Sequence, residues 1–381
     1  LDLAAKVLRE LDGLPLSIEL AAAQLRQLSL GELASRLDQR FALLHQRRGG
    51  RRRRQASLLA VLDETWAGLT VEEQTLLVRI AAFPSRFELR DVEELVGDQV
   101  SGAPARTSAG LIDRGLVVAG SDGRMSLLET VKLFARQKWE ADDPDSYLEQ
   151  HTQWLFRRIR SRTPEEHFTS GEFASWMNER HDDRRVVEDR LLADERLDEF
   201  AELVGASWNA AWSQSNSQAL VMLDRIEEVL DSGVLSEEQS AALHLTAAGA
   251  AMPARRAEWF ARGSSVAIDH YRTAPSYEAL ANALTVGSFM TSFGNLPGAL
   301  ALLSEAREAA ERAAATRLMA LAAAYRALLL SVHGERGDAL EALHAAEEEF
   351  GDPLQRGDQF DLADGNLLSA RFVVQLFADP S

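Results

Sequence analysis

The stretch FGNLPGALALLSEAREAAERAAATRLMALAAAYRALLLSVHGERGDALEALHAAEEEF, residues 293–350, decides how this chain folds. A turn, FGNLPG (293–298), opens a helical run, and 40 residues later HGERGD (333–338) does the same. Ala299-Leu300 and Ala339-Leu340 follow the two turns, and Ala306 and Ala346 repeat one column further on. Carried backwards at the same interval, the pattern meets SQSNSQ (213–218) with Ala219-Leu220 and PARRAE (253–258) with Trp259-Phe260. Ile226 and Val266 then fall in the later apolar column. Ahead of each turn a partner helix is expected, at 203–212, 243–252, 283–292 and 323–332. Such helix–turn–helix units are solenoid repeats: each leaves an apolar face bare, and stacking its neighbours covers it. The second copy reads as degenerate, because Gly263 stands against Leu223, Leu303 and Leu343, and His270 against Leu230 and Ala310. A helix at 362–377 would open a fifth repeat before FADPS, an end that reads as a cut or unfinished array.

Upstream the rhythm changes. Residues 2–12, 16–28 and 30–44 carry apolar positions at helical spacing, with Gly13 and Pro15 between the first two and Ser29 as an N-cap for the third. These give a three-helix piece over 1–46, followed by an Arg/Gly linker at 47–57 within HQRRGGRRRRQAS. No aromatic interleaves that basic run, so a solvated linker is favoured over a nucleic-acid or membrane patch. Over 58–140, helical patterns at 58–68, 71–82, 88–96 and 106–114 precede GLVVAGSDGRMSLLE, which alternates around Gly120-Ser121-Asp122-Gly123 as a hairpin. A closing helix at 130–140 completes the order of a winged helix. Its would-be reading helix, PARTSAGLIDRG, offers Arg106 and Arg114 but no Asn or Gln for base edges, which favours a structural module. Linker helices at 141–178 lead to the repeat array at 179–381. The fold expected is therefore mostly α: three helices, a winged helix with one small hairpin, then a solenoid of ~40-residue helical hairpins.

Composition narrows the function. The 381 residues, 46% hydrophobic and 26% charged, belong with globular proteins, and the absence of cysteine excludes disulfides and thiol chemistry. Residues 1–140 hold 20 basic against 19 acidic side chains, whereas 141–381 hold 21 against 40. An acidic array repels phosphate backbones, so no nucleic-acid partner is expected for it. No leader-like or membrane-spanning stretch is evident, and a cytoplasmic location is the simplest reading. The eight histidines never form an i,i+4 pair, so no helix-borne metal site is expected. A phosphate-cradling loop needs a lysine after glycine and before Ser or Thr. Lys6, Lys132 and Lys138, the three lysines of the chain, are followed by Val, Leu and Trp. No catalytic residue, metal or cofactor is therefore expected within the chain, which should not turn over ATP by itself.

LDGLPLSIELAAAQLRQLSLGELASRL (11–37), RFALL (40–44), the run RQASLL…LVG (54–97), LIDRGLVV (111–118) and RMSLLETVKLFARQKWE (124–140) resemble the post-P-loop half of bacterial STAND-type, NB-ARC-like signalling ATPases. Residues 176–212 also resemble the way that family passes into its helical repeats. The resemblance implies an upstream nucleotide-binding domain holding ATP or ADP, then a helical subdomain with Gly-Leu-Pro-Leu, a winged helix and a tetratricopeptide-like sensor. Gly13, Pro15 and Leu16 fall in that motif, whose proline packs by the adenine in the family; otherwise Pro15 opens its helix and no more. Leu127-Leu128-Glu129 stand where relatives carry Met-His-Asp. Leu128 thus replaces a phosphate-touching histidine, while Glu129 keeps the acid.

The implied mechanism is a population shift. A protein or small-molecule effector on the repeats would favour an open, ATP-bound state, homo-oligomeric when activated, over a closed ADP-bound one. On that reading the chain is the downstream part of a larger, non-membrane switch protein. Two alternatives remain: a stand-alone repeat scaffold that binds proteins, and a winged-helix regulator that binds DNA.

Overall fold

The computed structural model describes residues 7–8, 15–25, 28–33, 61–96, 103–140, 144–274, 276–355 and 361–376. Their contacts divide the chain into two units, Leu1–Leu155 and Phe156–Ser381. The Arg/Gly stretch 47–57 and most of the third N-terminal helix lie outside the described residues.

In the first unit, α1 (Pro15–Gln24) starts at the proline, as a fixed φ and a missing N–H favour. A helical stretch at 61–67 precedes α2 (Val71–Ile80), α3 (Leu89–Val96) and α4 (Pro104–Asp113). Thr70 and Glu73 form a capping box on α2, each side chain accepting the other's backbone N–H, at 3.2 and 2.9 Å. The hairpin is β1 (Val117–Ala119) and β2 (Met125–Leu127), antiparallel with Val117 opposite Leu127 and Ala119 opposite Met125. Gly123 turns it at a φ of 78°, which a side chain would strain. Phe87 adds a third edge by pairing with Met125, so the helices and the small sheet follow the winged-helix order. α5 (Glu129–Glu140) closes it through buried Val131, Phe134 and Ala135. Then α6 (Pro144–Arg160) brings His151 and Trp154 edge-on to Phe83, at centroid separations of 5.6 and 5.1 Å.

The second unit continues with α7 (Pro164–Thr169), α8 (Gly171–Glu179), α9 (His181–Ala193), α10 (Leu197–Ala206) and α11 (Trp208–Ala211). Helical hairpins follow in sequence: α12 (Asn216–Asp231), α13 (Glu237–Ala254), α14 (Ala257–Tyr271), α15 (Tyr277–Ser292), α16 (Leu296–Arg312), α17 (Thr316–Val332), α18 (Arg336–Phe350) and α19 (Leu362–Leu376). Each packs on the next, and α17 also packs on α19. One apolar core runs from Trp208 to Ala370, built largely of alanine and leucine, as the small-residue columns predict. The expected helix at 203–212 is instead broken at Ser207, whose hydroxyl donates to Leu203 O at 2.8 Å.

The second repeat corrects the sequence reading. Its buried positions are Phe260, Ser264, Ala267 and Tyr271, while Val266 is exposed. This copy is in step with the others once shifted by one residue. Arg255 ends α13 in the left-handed conformation at φ 57°. Arg255 N bonds Met252 O and Arg256 N bonds Ala251 O, the paired bonds of a Schellman turn. Ala314, Glu195 and Gly334 close their helices in the same way. Gly263 is then not a lost leucine: a Cβ there would lie 2.3 Å from His244 O, so its absence lets α14 press against α13.

A long-range contact draws the unit together. The short helix α7 packs on α11, α15 and α17. Its Glu165 accepts the backbone N–H groups of Arg317 and Leu318, at 2.6 and 3.3 Å, across more than 150 residues of chain. The N-cap residue of α17, Ala315, has no side chain that could do this.

Candidate functional site

Helix α10 is amphipathic: Phe200, Leu203 and Val204 are buried, which leaves Asp198, Glu199 and Glu202 together on its other face. That face lines a groove of about 500 Å³ between the end of α6, α7, α10, α13 and the junction of α14 with α15. Its floor is apolar and aromatic. Trp208, 1% exposed, stands edge-on to Phe168 at 5.9 Å, and Leu245, Tyr271 and Ala279 continue the surface. Size and lining are those of a site for a small organic ligand or a few residues of peptide.

The mouth is acidic. Glu202 is held by a two-pronged ion pair with Arg160, at 2.6 and 2.7 Å, and Glu199 by Arg196. Asp198 accepts only the neutral amide of Gln239, at 3.0 Å, and Glu238 is exposed on the same rim. Four carboxylates against two guanidiniums leave the mouth net negative. Burial, reinforced by the Glu238 charge, pushes the Tyr271 hydroxyl far above the usual tyrosine range, so it stays protonated. Burial likewise holds the His167 ring below the usual histidine range. Neutral His167 stacks on Phe173 at 5.1 Å, and its Nε2–H donates to Ile159 O at 3.0 Å. The indole N–H of Trp208 has no hydrogen-bond partner among the described residues. The groove thus offers an apolar slot and a negative entrance.

The residues singled out by the Gly-Leu-Pro-Leu resemblance lie elsewhere. Gly13 is outside the described residues, as is the side chain of Leu16, and Pro15 is exposed at the start of α1. Glu129 is the first residue of α5, exposed and 3.3 Å from Lys132, whose ammonium also donates to Pro84 O at 2.7 Å. An acid there suits the positive end of a helix. On the wing, Arg86 pairs with Asp122 at 3.1 Å and Arg124 with Glu88 at 3.4 Å. Among the described residues no group of His, Asp and Glu is placed to hold a metal, and no helix is long and apolar enough to cross a membrane. The groove itself escaped the sequence reading. Its acids were counted only as bulk charge, and the aromatic pair Trp208 and Trp212 was the one local signal.

No family model matches the chain. A Mycobacterium tuberculosis protein named "Putative HTH-type transcriptional regulator" is 39% identical over 140 residues, covering 35% of this chain and 16% of that protein. An uncharacterized protein of the same organism is 33% identical over 161 residues, covering 39% of this chain and 40% of its own length. The chain spans less than half the length of either relative. Among solved structures, the Signal Transduction ATPase with Numerous Domains (STAND) protein with a tetratricopeptide repeat sensor from Pyrococcus horikoshii aligns over 96% of this chain and 58% of its own. That alignment has a TM-score of 0.43 and 14% sequence identity.

Proposed function

We propose that the chain is the regulatory and sensor part of a STAND-type signal-transduction ATPase or transcriptional regulator. The helical array takes up an effector and biases a nucleotide switch carried by an upstream domain. The observation that carries this reading is the groove: an aromatic slot beneath a net-negative rim, built from the helical array and the helices that lead into it. Its chemistry fits an effector with an apolar body and a cationic group, such as an amine or a basic peptide segment. Support for the switch comes from the order of parts in the sequence and from similarity to a protein named as a transcriptional regulator. In this reading the first unit's winged helix is a structural lever. The pairing of Arg86 and Arg124 with acids on the wing supports that role over DNA reading. The chain works in the cytoplasm, holds no nucleotide of its own and does not hydrolyse ATP alone.

The test is a thermal-shift and calorimetric screen of residues 1–381 against cationic amphiphiles, their neutral isosteres and basic peptides. A ligand of the proposed class raises the midpoint, and the double variant Asp198→Asn, Glu238→Gln weakens it at least ~10-fold, as loss of two facing charges requires. Equal binding of the neutral isosteres, or equal binding by the variant, overturns the assignment. ATP turnover by the chain that is abolished on replacing one of its three lysines would overturn its non-catalytic role.

A further inference from the structure

A second, smaller cavity, of about 120 Å³, lies between α9 and the start of α12. It shares no wall with the groove. In an array where acids outnumber bases almost two to one, its lining is inverted: Arg184, Arg185 and Arg225 face a single carboxylate, Glu188.

Arg184 is the anomaly. It is 2% exposed and sits on the buried face of α9 with Val187 and Leu191, where helical periodicity calls for an apolar side chain. A guanidinium in such a place is strongly disfavoured unless its donors are met. They are met only in part. Its Nε lies 3.4 Å from Glu188 Oε1, but the other Glu188 oxygen is taken by Arg225, which also reaches Asp189. Its Nη2 lies 3.4 Å from His181 Nδ1, and its Nη1 has no hydrogen-bond partner among the described residues. The opposite wall is the side of α12 from Ser217 to Arg225, whose Gln218 N–H is already capped by Ser215 Oγ at 3.3 Å. The Gln214 carbonyl oxygen, also buried in this wall, lacks a donor among the described residues.

We propose that this cavity binds a phosphate group. Several acceptor oxygens on one centre answer the guanidiniums of Arg184, Arg185 and Arg225, and the hydroxyl of a hydrogen phosphate answers Gln214. A planar carboxylate has too few oxygens for these donors and no hydroxyl when ionised. The volume admits the phosphate group alone, so the remainder of any ester extends outward past exposed Arg185. Occupancy of this site would tie α9 to α12 and so stiffen the first repeat.

The experiment is calorimetric titration and thermal unfolding of residues 1–381 with inorganic phosphate and with a nucleoside monophosphate, each against sodium chloride of equal ionic strength. Either ligand should raise the unfolding midpoint. Comparable affinities identify free phosphate as sufficient, and a tighter nucleotide identifies a phosphomonoester as the natural occupant. Arg184→Leu, which replaces a buried charge with an apolar side chain, should weaken binding at least ~10-fold. Arg185→Gln, on the surface and without consequence for folding, should weaken it ~3-fold or more. No midpoint shift at about 10 mM of either ligand, or unchanged affinity in both variants, would show that the arginine cluster is a structural ion network only.

Discussion

Glu165 is a helix cap supplied from a distant part of the chain, and removing it should loosen α17 selectively. Glu165 Oε1 accepts two of the four N–H groups that every helix leaves unbonded at its start, and Ala315 offers no local substitute. Loss of an N-cap acceptor costs about 1 kcal/mol, and a partly buried anion at a helix N-terminus adds up to about 2 kcal/mol. Glu165→Ala should therefore destabilise the array by about 2 kcal/mol, and Glu165→Gln, which keeps an acceptor oxygen, by about 0.5–1 kcal/mol. Because repeat arrays open locally, amide hydrogen exchange is the sensitive assay. The amides of Arg317 and Leu318 should exchange roughly 30-fold faster in the Ala variant, as about 2 kcal/mol implies. Ala315→Ser, which supplies a hydroxyl at the N-cap, should restore about half of the loss. If Glu165→Ala melts within about 0.3 kcal/mol of the parent and leaves both amides equally protected, the cap has no energetic role and the reasoning fails.

Three further outcomes follow from the packing. Gly263→Ala drives a Cβ to 2.3 Å from His244 O, so it should lower stability by about 1–3 kcal/mol, whereas Gly337→Ala, with open space around it, should be neutral or stabilising in the same urea titration. Ala314→Gly should raise stability by several tenths of a kcal/mol, about what a φ of 55° costs a residue with a Cβ; a loss would show that the turn does not strain it. Burial holds His167, His181 and His244 below the ordinary histidine pKa of about 6.5, opposed at His167 by the Ile159 carbonyl and the Glu166 and Glu202 charges. The folded chain therefore binds fewer protons than the unfolded one just below that value, so the urea midpoint should be highest above pH ~6.5 and fall towards pH 5.5. His167→Gln should flatten that fall, and a midpoint that rises on acidification would contradict it.

The repeat was legible because its columns are short-range: Ala219, Ala299 and Ala339 recur at the same step and are all buried. The hairpin was legible for the same reason, since Gly120 to Gly123 mark its turn and alternation marks its strands. What misled was a one-residue offset. The second copy is offset by one from the 40-residue step, so Val266 and His270 were read into columns that belong to Ala267 and Tyr271. The groove was illegible for a different reason. Its floor and rim are drawn from positions 159 to 279, and no spacing rule links Trp208, Glu238 and Tyr271 before the helices are stacked.

The cap and the groove meet in one helix of six residues, and this fixes how they must influence each other. Pro164, His167 and Phe168 of α7 line the groove, while Glu165 of the same helix holds the start of α17. A ligand that keeps α7 in place shares in the stability of the Glu165 contact. A ligand that displaces α7 must first break that contact, and its affinity is reduced by the same free energy. Linkage is reciprocal, so Glu165→Ala must weaken the first kind of ligand or tighten the second, by at most the roughly 30-fold that about 2 kcal/mol allows. The sign of that change separates an effector that clamps the array from one that opens it. An affinity indifferent to Glu165 would mean that α7 moves with neither, and that the groove is read out through α10 and α13 instead.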